Sequence, residues 1–572
     1  MHFEKDRPLK KPLVPGQHSD KMISLHQYVD KRLLGLRPDR YSYWNHWRQL
    51  SDYLLPRRGR FLITPNQSNR GDPVGGKIID STATLGLRTL SAGLMAGLTS
   101  PARPWFRLTL RNIDVSKMAN VRLWLDEVTS RLLSVMSQSN MYNALHTVYE
   151  ELGAFGTACI LIDEDYEDVI RCQPLTAGEY YLGSSGRNQT DTLYREYVLT
   201  AMQVIDRFGI ENCSKAVQSL YESKQMDKEI YVAQAIEPND DRAPQIPGLK
   251  GRKYRSVIWE LGQHVDTVLD LRGYHELPFA SPRWDVMGND SYGRGPGMDC
   301  LGDVKMLQKL TLRLSQAIDK VVNPPMVADV ALRNTTTSLL PGGVTYVANS
   351  GAVGFKPAYQ VPPSIQGALE ERKAAQERIK DCLFVNLFLM IAELDDVRTA
   401  TEIVERKQEK MLMLGPFLER SQFELINPVV DRTFAIMLRG GLLPPPPREV
   451  IGAPLDIECV STLADAQKST ATTGIERLVA FVGNLAAAKQ DVLDTINFDE
   501  VVDEYAGLLG VTEKVLTTDD ERKETRDARA KAMQQAQTAQ NGMAAVQGAQ
   551  TLSQTDVGGG QNALQRMIGT AP

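Results

Sequence analysis

Residues 364–391 read SIQGALEERKAAQERIKDCLFVNLFLMI, a stretch in which a densely charged half is followed by an apolar half. Ser364 is a residue type that caps helix N-termini. We therefore predict one long helix over 363–390. The apolar half runs from Leu383 to Met390. A helix that changes character along its length in this way is expected to have its two ends in different environments.

A second long helix precedes this one. Residues 298–322 have a helical pattern that ends at Asn323-Pro324-Pro325, where proline disfavours further helix. Residues 323–362, between the two helices, are rich in Gly, Pro and Thr and contain short strand-like runs. The sequence therefore predicts two long helices that bracket a small segment.

The chain beyond this pair first breaks and then returns to helix. Residues 391–398 interrupt the apolar pattern. Thr399 and Glu402 then have the spacing of a capping box, which predicts a helix over 399–440. We expect a kink at Gly415-Pro416, because proline removes one helical hydrogen bond and clashes with the preceding turn.

The N-terminal half divides into a helical part and a β-rich part. Residues 1–20 are polar and contain prolines, and we predict a mobile arm there. Residues 21–153 are mainly helical in pattern, most clearly at 121–136, where one face is apolar. Residues 154–297 contain strand-like runs separated by turn residues. The predicted fold class is mainly α with an inserted β-rich layer (α+β).

The C-terminal part is helical again. We expect several helices within 441–515, after Gly440-Gly441 and the prolines at 444–447. Residues 516–550 are rich in Ala, Gln, Lys and Glu, which favours a long exposed helix. Residues 551–572 contain three consecutive glycines, and we predict a disordered tail.

Composition excludes several classes of protein. The chain has 572 residues, 42% hydrophobic and 24% charged, which is ordinary for several globular domains. Its six cysteines form no CxxC pair, so we expect neither a zinc site nor a disulfide framework, and assembly in a reducing cytoplasm. The longest apolar stretch, 382–392, is shorter than the ~20 residues of a membrane span. No apolar run follows the basic N-terminus as it would in a signal peptide.

Charge is distributed unevenly along the chain. The net charge is −5, but residues 1–110 hold 18 Lys and Arg against 8 Asp and Glu. The rest of the chain is therefore acidic. The basic end is either a solvated surface or a contact with nucleic acid or an acidic partner.

The sequence contains fragments of catalytic motifs but no complete one. Residues 71–77 fit the first positions of a phosphate-binding loop, but Ile78 stands where Ser or Thr would hold magnesium. Residues 293–298 lack the last glycine of a dinucleotide fingerprint, and the histidines form no metal-binding pair. Glu393, Asp395 and Asp396 either bind a divalent cation or form a solvated acidic loop. We predict no catalysis, no cofactor and no metal.

Six short motifs, taken in order, resemble one known family. They are Trp44-Asn-His-Trp47-Arg48 with Tyr53-Leu-Leu-Pro56-Arg-Arg-Gly59-Arg-Phe61; Lys77-Ile-Ile-Asp80-Ser81 with Leu90-Ser-Ala-Gly93-Leu-Met-Ala-Gly97-Leu-Thr-Ser100-Pro101 and Pro104-Trp105-Phe106; Glu151-Leu-Gly153-Ala-Phe155-Gly156-Thr157; Tyr292-Gly293-Arg294-Gly295-Pro296-Gly297; Arg398-Thr-Ala400-Thr401-Glu402-Ile403; and Asp494-Thr-Ile-Asn497-Phe-Asp499-Glu500. Together they span about residues 44–510. The chain resembles the head-to-tail connecting (portal) proteins of short-tailed bacteriophages.

That resemblance implies an architecture for every segment of the chain. A portal-type subunit has a wing, a stem of two helices around a small α/β clip, a tunnel loop, a kinked long helix, a helical crown and a possible C-terminal barrel helix. On this sequence these would be the wing at 21–297, the stem helices at 298–322 and 363–390, the clip at 323–362, the tunnel loop at 391–398, the kinked helix at 399–440, the crown at 441–515 and the barrel helix at 516–550.

The resemblance also implies a function. Twelve subunits would form a ring at one capsid vertex, through which double-stranded DNA is packaged and ejected. The implied partners are the terminase large subunit, the major capsid and scaffolding proteins and a tail adaptor, and the implied location is the virion. Glu393, Asp395, Asp396 and Arg398 would line the DNA channel in the tunnel loop. An acidic bore repels a duplex and keeps it centred, whereas a basic bore would hold it.

Two other functions stay open at the level of sequence. One is a different virion structural protein of the tail or baseplate, which would lack two long helices around a small insertion. The other is a packaging ATPase, against which Ile78 argues.

Overall fold

The structure is a computed structural model that describes residues 20–59, 75–111, 115, 118–240, 242, 248–262, 268–328, 355–357, 366–392, 413–460, 475, 478–485, 496–508, 517 and 519–554. The chain divides into two compact units. The first comprises residues 1–116 and 123–470, and the second comprises residues 117–122 and 471–572. No helix among the described residues is long and apolar enough to cross a membrane.

The predicted fold class is confirmed: helices enclose an inserted layer of antiparallel strands. The helices that precede this layer in the chain are α1 (Asp20–Tyr53), α2 (Thr82–Leu98), α3 (Ala119–Gln138) and α4 (Met141–Phe155). Helix α1 is longer than its sequence pattern suggests and contains Pro38. It ends before Pro56, where the chain turns through a short 3₁₀ segment, Pro56–Gly59.

Strands and two short helices form the inserted layer. Before it comes β1 (Phe106–Leu110). The layer contains β2 (Cys159–Asp165), β3 (Val169–Leu175), β4 (Tyr180–Ser184), β5 (Thr190–Thr200), α5 (Ala201–Phe208), α6 (Lys215–Glu222), β6 (Glu229–Pro238), β7 (Tyr254–Glu260), β8 (Val268–Tyr274) and β9 (Phe279–Ala280). Strands β4 to β8 form one antiparallel sheet in sequence order, and β3-β2-β9 form a second.

The five-stranded sheet is covered on both faces. Val29 and Leu33 of α1 pack on one face against buried aromatic residues that include Trp259. Val204 of α5 and Val217 of α6 pack on the other face. Side chains alternate between the two faces along each strand, and apolar side chains occur on both faces. The sheet is therefore buried on both sides.

Two long helices then run against each other. Helix α7 (Pro296–Val322) is followed by β10 (Met326–Ala328), and β11 (Phe355–Pro357) is followed later by α8 (Gln366–Cys382). Strands β10 and β11 pair antiparallel. Arg378 of α8 bonds Asp303 of α7, and Cys382 at the end of α8 bonds the carbonyl oxygen of Pro296 at the start of α7, so the two helices are antiparallel. The result is a helical hairpin that carries a strand pair between its two arms.

The single helix predicted over 363–390 is two helices. Helix α8 ends at Cys382, and α9 (Val385–Ala392) begins after a turn in which Phe384 has a φ of 55°. A left-handed backbone is rare for a bulky residue, and sequence gives no signal for it. The break lies where the charged half meets the apolar half. The charged half and the apolar half therefore belong to two separate helices rather than to one.

The next helix contains a distortion of its own. Residues 413–421 are helical, and the kink expected at Gly415-Pro416 stays a prediction because the residues that lead into it lie outside the described part of the chain. A π-helical turn at Gln422–Ile426 follows, and then α10 (Asn427–Arg439) begins with Pro428 in its first turn. Because proline cannot donate a hydrogen bond and crowds the preceding turn, the wider π turn accommodates it.

The remaining described elements complete both units. Strand β12 (Leu455–Cys459) pairs antiparallel with β1 in the first unit. The second unit contains α11 (Phe498–Leu508) and α12 (Asp519–Gln554). Helix α12 lies where a long exposed helix was predicted over 516–550, and it extends four residues into the predicted tail. The predicted arm at 1–20, apart from its last residue, and the tail beyond 554 lie outside the described residues.

Candidate functional site at the helix–sheet junction

The predicted channel residues Glu393, Asp395, Asp396 and Arg398 lie outside the described residues. The described chain stops at Ala392 and starts again at Met413. What the structure does define is the packing that holds the two flanking helices. We call this region the junction: the glycines at 156 and 293–297, the segment 283–285, the turn at 383–384 and Asp80 with its partners.

Backbones cross at van der Waals distance in the centre of the junction. Gly156 follows α4 with a φ of 73° and lies against the chain that leads into α7. A Cβ atom on Gly156 would lie 2.5 Å from the backbone nitrogen of Gly295, and one on Gly293 would lie 2.5 Å from the carbonyl oxygen of Gly156. The Gly293 N–H donates to Thr157 Oγ1 (2.7 Å). Glycine is required here both for the left-handed backbone and for the close approach.

Three consecutive residues next to this crossing hold the helix at 413–426. Arg283 is 2% exposed and donates to both carboxylate oxygens of Glu424, with the shortest bond at 2.6 Å. The Trp284 ring stacks on Phe417 with centroids 4.0 Å apart. Asp285 lies 3.7 Å from Arg420. The helix residues are spaced i, i+3 and i+7, so they share one face.

The same tryptophan reaches the turn between α8 and α9. The ring centroids of Trp284 and Phe384 are 6.1 Å apart. Trp284 therefore contacts a residue on each side of the segment 393–412. Its backbone N–H also donates to the carbonyl oxygen of Gly156 (2.9 Å), which links this contact to the glycine crossing.

Small residues of α2 pack against the apolar residues of this turn and of α9. Gly93 is in direct contact with the Phe388 ring, since a Cβ at Gly93 would overlap that ring. Gly86 likewise faces Leu383 at 2.8 Å from its Cβ position. The small residues of this helix therefore make room for the side chains of Leu383 and Phe388.

Asp80 connects the two arms of the helical hairpin. Its carboxylate accepts from the Thr82 hydroxyl (2.5 Å) and from Gln376 Nε2 of α8 (2.9 Å). Gln308 Oε1 of α7 accepts from the backbone N–H groups of Ile79 and Asp80, and Gln308 Nε2 donates to the Asp80 carbonyl oxygen. Burial raises the pKa of Asp80, but the hydrogen bonds to Thr82 and Gln376 outweigh it and leave that pKa below its ordinary value.

Aromatic packing ties α1 to the same region. The Tyr292 ring lies 5.1 Å from the Trp47 ring, and its hydroxyl accepts from the backbone N–H of Leu182 (3.1 Å). Burial raises the pKa of Tyr292, so the hydroxyl stays neutral. Lys77, the lysine of the partial phosphate-loop motif, pairs with Asp52 of α1 at 2.6 Å. That ion pair supports a structural role for Lys77.

The family model described as "Bacteriophage head to tail connecting protein" matches residues 26–516. The chain belongs to this family. Among curated relatives, the "Portal protein" of Salmonella phage epsilon15 is 41% identical over 92% of this chain and 95% of its own. The "Probable portal protein" of Bordetella phage BPP-1 is 41% identical over 88% of this chain and 91% of its own.

Solved structures give a weaker likeness. A chain of the "Virion of native gene transfer agent (GTA) particle" aligns over 72% of this chain and 91% of its own, with 12% identity and a TM-score of 0.32. A TM-score of 0.32 is too low to support a conclusion on fold or function.

Four of the six motifs that resemble this connector family meet at the junction. The motif around Trp47 contacts Tyr292, and Asp80 binds both hairpin helices. The motifs that contain Gly156 and Gly295 cross each other. The motif at 398–403 lies outside the described residues. The motif at 494–500 belongs to the second unit, where Asp499 pairs with Arg526.

A second group of ion pairs connects α10 to the three-stranded sheet. Arg432, 2% exposed, donates to Glu276 (2.8 Å), and Arg439 donates to both Glu276 and Glu164 (2.6 Å each). Burial raises the pKa of Glu276, but the bonds to Arg439 and Arg432 hold it below its ordinary value. In the part of the chain that the structure describes, no three His, Cys, Asp or Glu residues are grouped to hold a metal ion.

Sequence reasoning did not identify Arg283, Trp284 or the two glutamines as parts of the site. A buried arginine carries no sequence signal, because arginine is usually exposed. Trp284 could have been noted as one of only six tryptophans. Its partners Phe384 and Phe417 lie far along the chain, and no local pattern reveals such contacts.

Proposed function

We propose that this chain is a portal protein, one subunit of a ring of twelve at one capsid vertex, through which double-stranded DNA is packaged and ejected. The observation that carries the proposal is the antiparallel hairpin of α7 and α8 with the strand pair between its arms. That is the arrangement expected for a stem and a clip. The two phage relatives, each covered over more than nine-tenths of its length, support the same conclusion.

The division of the chain follows from this proposal. Helices α7 and α8 are the stem, and β10 with β11 belong to the clip. The tunnel loop predicted at 391–398 is proposed for 393–398, because residues 391 and 392 end helix α9. The helix at 413–439 is the later part of the kinked long helix. Helix α11 belongs to the crown, and α12 is the barrel helix.

We further propose that the role is structural and that a separate motor hydrolyses ATP. The terminase large subunit docks on the ring first, and a tail adaptor docks later. The major capsid and scaffolding proteins are further partners during assembly in the host cytoplasm, and the ring becomes a component of the virion. Ile78 supports this proposal, because it stands where a phosphate-binding loop would need Ser or Thr to hold magnesium.

Glu393, Asp395 and Asp396 are proposed to face the DNA, with Arg398 at the end of the same loop. Two unit charges about 10 Å apart interact by only ~0.4 kcal/mol in water, so no single acid holds or rejects a duplex. Repeated around a ring, the acids favour a duplex that slides along the axis.

Electron microscopy of the purified full-length chain tests the ring. We expect closed rings with a central hole wide enough for a duplex, and no ATP turnover in a parallel assay. Stable monomers or open filaments under all conditions would contradict the proposal.

A charge reversal tests the channel loop. Asp395→Lys with Asp396→Lys should leave rings intact and slow DNA packaging, most strongly at low salt, where lysine–phosphate attraction is least screened. The matched control is Glu167→Lys with Asp168→Lys, the same charge change at exposed residues of the β2–β3 turn. Equal packaging rates for both double variants at every salt concentration would show that the loop does not face the channel.

A further inference from the structure

Two cysteines lie side by side where the arms of the helical hairpin meet the junction. Cys300 is in the second turn of α7 and is 1% exposed, and Cys382 is the last residue of α8 and is partly exposed. The Cys382 thiol donates to the carbonyl oxygen of Pro296 (3.4 Å), and the Cys300 thiol donates to that of Gly297 (3.6 Å). Both sulfur atoms therefore lie against the same first turn of α7.

The two sulfur atoms also interact with each other. This interaction raises the pKa of Cys300 and lowers that of Cys382. The carboxylates of Asp299 and Asp303 are the charged groups that face Cys382, and they act in the opposite direction. A partly exposed thiol with a buried thiol beside it has the arrangement of an attacking and a resolving cysteine.

Three other cysteines are in a different environment. Burial raises the pKa of Cys159, and it raises the pKa of Cys172 and of Cys213 to about 12. Burial keeps these three thiols protonated and shields them from a reagent in solution. Chemistry at sulfur should therefore begin at Cys382 rather than at these three residues.

We propose that Cys300 and Cys382 form a reversible redox site, which closes to a disulfide between α7 and α8 when the chain meets a small-molecule disulfide of the glutathione type. The Cys382 thiolate attacks one sulfur of the reagent, its S–S bond breaks and one small thiolate leaves. The Cys300 sulfur then attacks the Cys382 sulfur as its proton passes to the departing sulfur, and a second small thiol leaves. Two protein thiols are oxidised, and one reagent disulfide is reduced to two thiols.

The disulfide would fix the hairpin at its junction end. Cys382 immediately precedes the turn at Leu383-Phe384, and Cys300 follows the glycine crossing by a few residues. A cross-link at this point restrains the unfolded chain between residues 300 and 382. It should raise the melting temperature by several degrees.

The test uses the full-length reduced chain, incubated with oxidised glutathione at about pH 8. Peptide mapping by mass spectrometry under non-reducing conditions should find the 300–382 cross-link, and thiol counting after denaturation should find two fewer thiols. Dithiothreitol should restore both thiols and the original melting temperature.

Single substitutions separate the two roles. Cys300→Ser should stop at a glutathione adduct on Cys382, and Cys382→Ser should give neither adduct nor cross-link. Cys213→Ser is the matched control and should cross-link like the unsubstituted chain. The proposal is overturned if the unsubstituted chain keeps all its thiols, if a glutathione adduct on Cys382 never resolves, or if modification spreads equally over the six cysteines.

Discussion

The junction around Gly156 and the terminal helix α12 respond very differently to one added methyl group. A Cβ on Gly156 would lie 2.5 Å from backbone atoms of a crossing segment, whereas a Cβ on Gly542 of α12 would have nothing within 4 Å. Arg283 at the junction is 2% exposed, whereas the side chains of residues 523–544 are all exposed. The first region is specified residue by residue, and the second mainly by composition.

This difference separates two kinds of sequence constraint. At the junction, each side chain has one partner set by long-range contacts, so a substitution leaves a clash or an unpaired charge. In α12, any residue with good helix propensity satisfies the backbone. Substitutions should therefore have large, position-dependent effects at the junction and small effects in α12.

Gly156→Ala should have the largest effect. The new Cβ clashes with the Gly295 backbone, and a left-handed φ of 73° is strained for alanine. We expect the free energy of unfolding to fall by about 5 kcal/mol, or folding to fail, as measured by denaturant unfolding. A loss under about 1 kcal/mol would mean that the crossing is looser than described.

The matched control is Gly302→Ala on α7, where nothing lies within 4 Å of the Cβ position. Alanine is favoured over glycine in a helix interior, so this variant should gain about 0.5–1 kcal/mol. A lower free energy of unfolding for Gly156→Ala and a higher one for Gly302→Ala would distinguish the backbone crossing from an open helix surface.

Arg283→Met should have the next largest effect. It leaves Glu424 without its buried partner and frees the carbonyl oxygens of Asn188 and Asp290, which Arg283 also binds. Breaking such a pair costs about 3–4 kcal/mol. Adding Glu424→Leu should restore part of that loss. The exposed pair of Arg294 with Asp299 supplies the control, and Arg294→Met should change stability by less than about 0.5 kcal/mol.

A pH dependence should arise at Glu151, a buried residue of α4. Burial raises its pKa to about 8 from the ordinary 4.5, although Arg58 and the backbone N–H of Ala177 favour the charged form. Because the folded pKa is the higher one, the stability from protonated Glu151 is complete below about pH 4.5 and is lost as pH rises through about 8.

Glu151→Gln should remove that slope, which we expect to amount to about 4 kcal/mol between pH 5 and 9. Urea unfolding across this pH range measures it. The neighbouring Glu150→Gln serves as the control and should keep the slope. If Glu151→Gln leaves the pH profile unchanged, the slope originates at another group.

Local patterns predicted the elements well wherever a period or a breaker was present. The apolar stripe at 121–136 corresponds to α3, and strands β2 to β9 lie within 154–297, where strand-like runs were predicted. The two prolines after Asn323 end α7 as expected. These signals work because they act within one helical turn or one strand pair.

Contacts between distant segments could not be predicted in this way. Strand β1 pairs with β12, which lies almost 350 residues later in the chain. A local sequence pattern covers only one of these two strands, so it cannot predict their pairing. The break at Phe384 depends on Trp284 and on the small residues of α2, neither of which is near it in sequence. The motifs were recognisable one by one, but their crossing at Gly156 and Gly295 required the fold. The channel loop at 391–398 stays a prediction.

The smallest effect should follow Arg526→Ala, even though the geometry of its ion pair is good. Arg526 donates two bonds of 2.6 Å to Asp499, and this bonding lowers the pKa of Asp499. Both groups are exposed to water, which replaces each lost bond and screens the attraction. We therefore expect no measurable shift in the melting temperature at physiological salt and none in about 0.5 M salt, with helix content by circular dichroism unchanged. A salt-sensitive drop comparable to that of Arg283→Met would show that a pair accessible to solvent can stabilise the fold as strongly as a buried one, and the contrast between α12 and the junction would then fail.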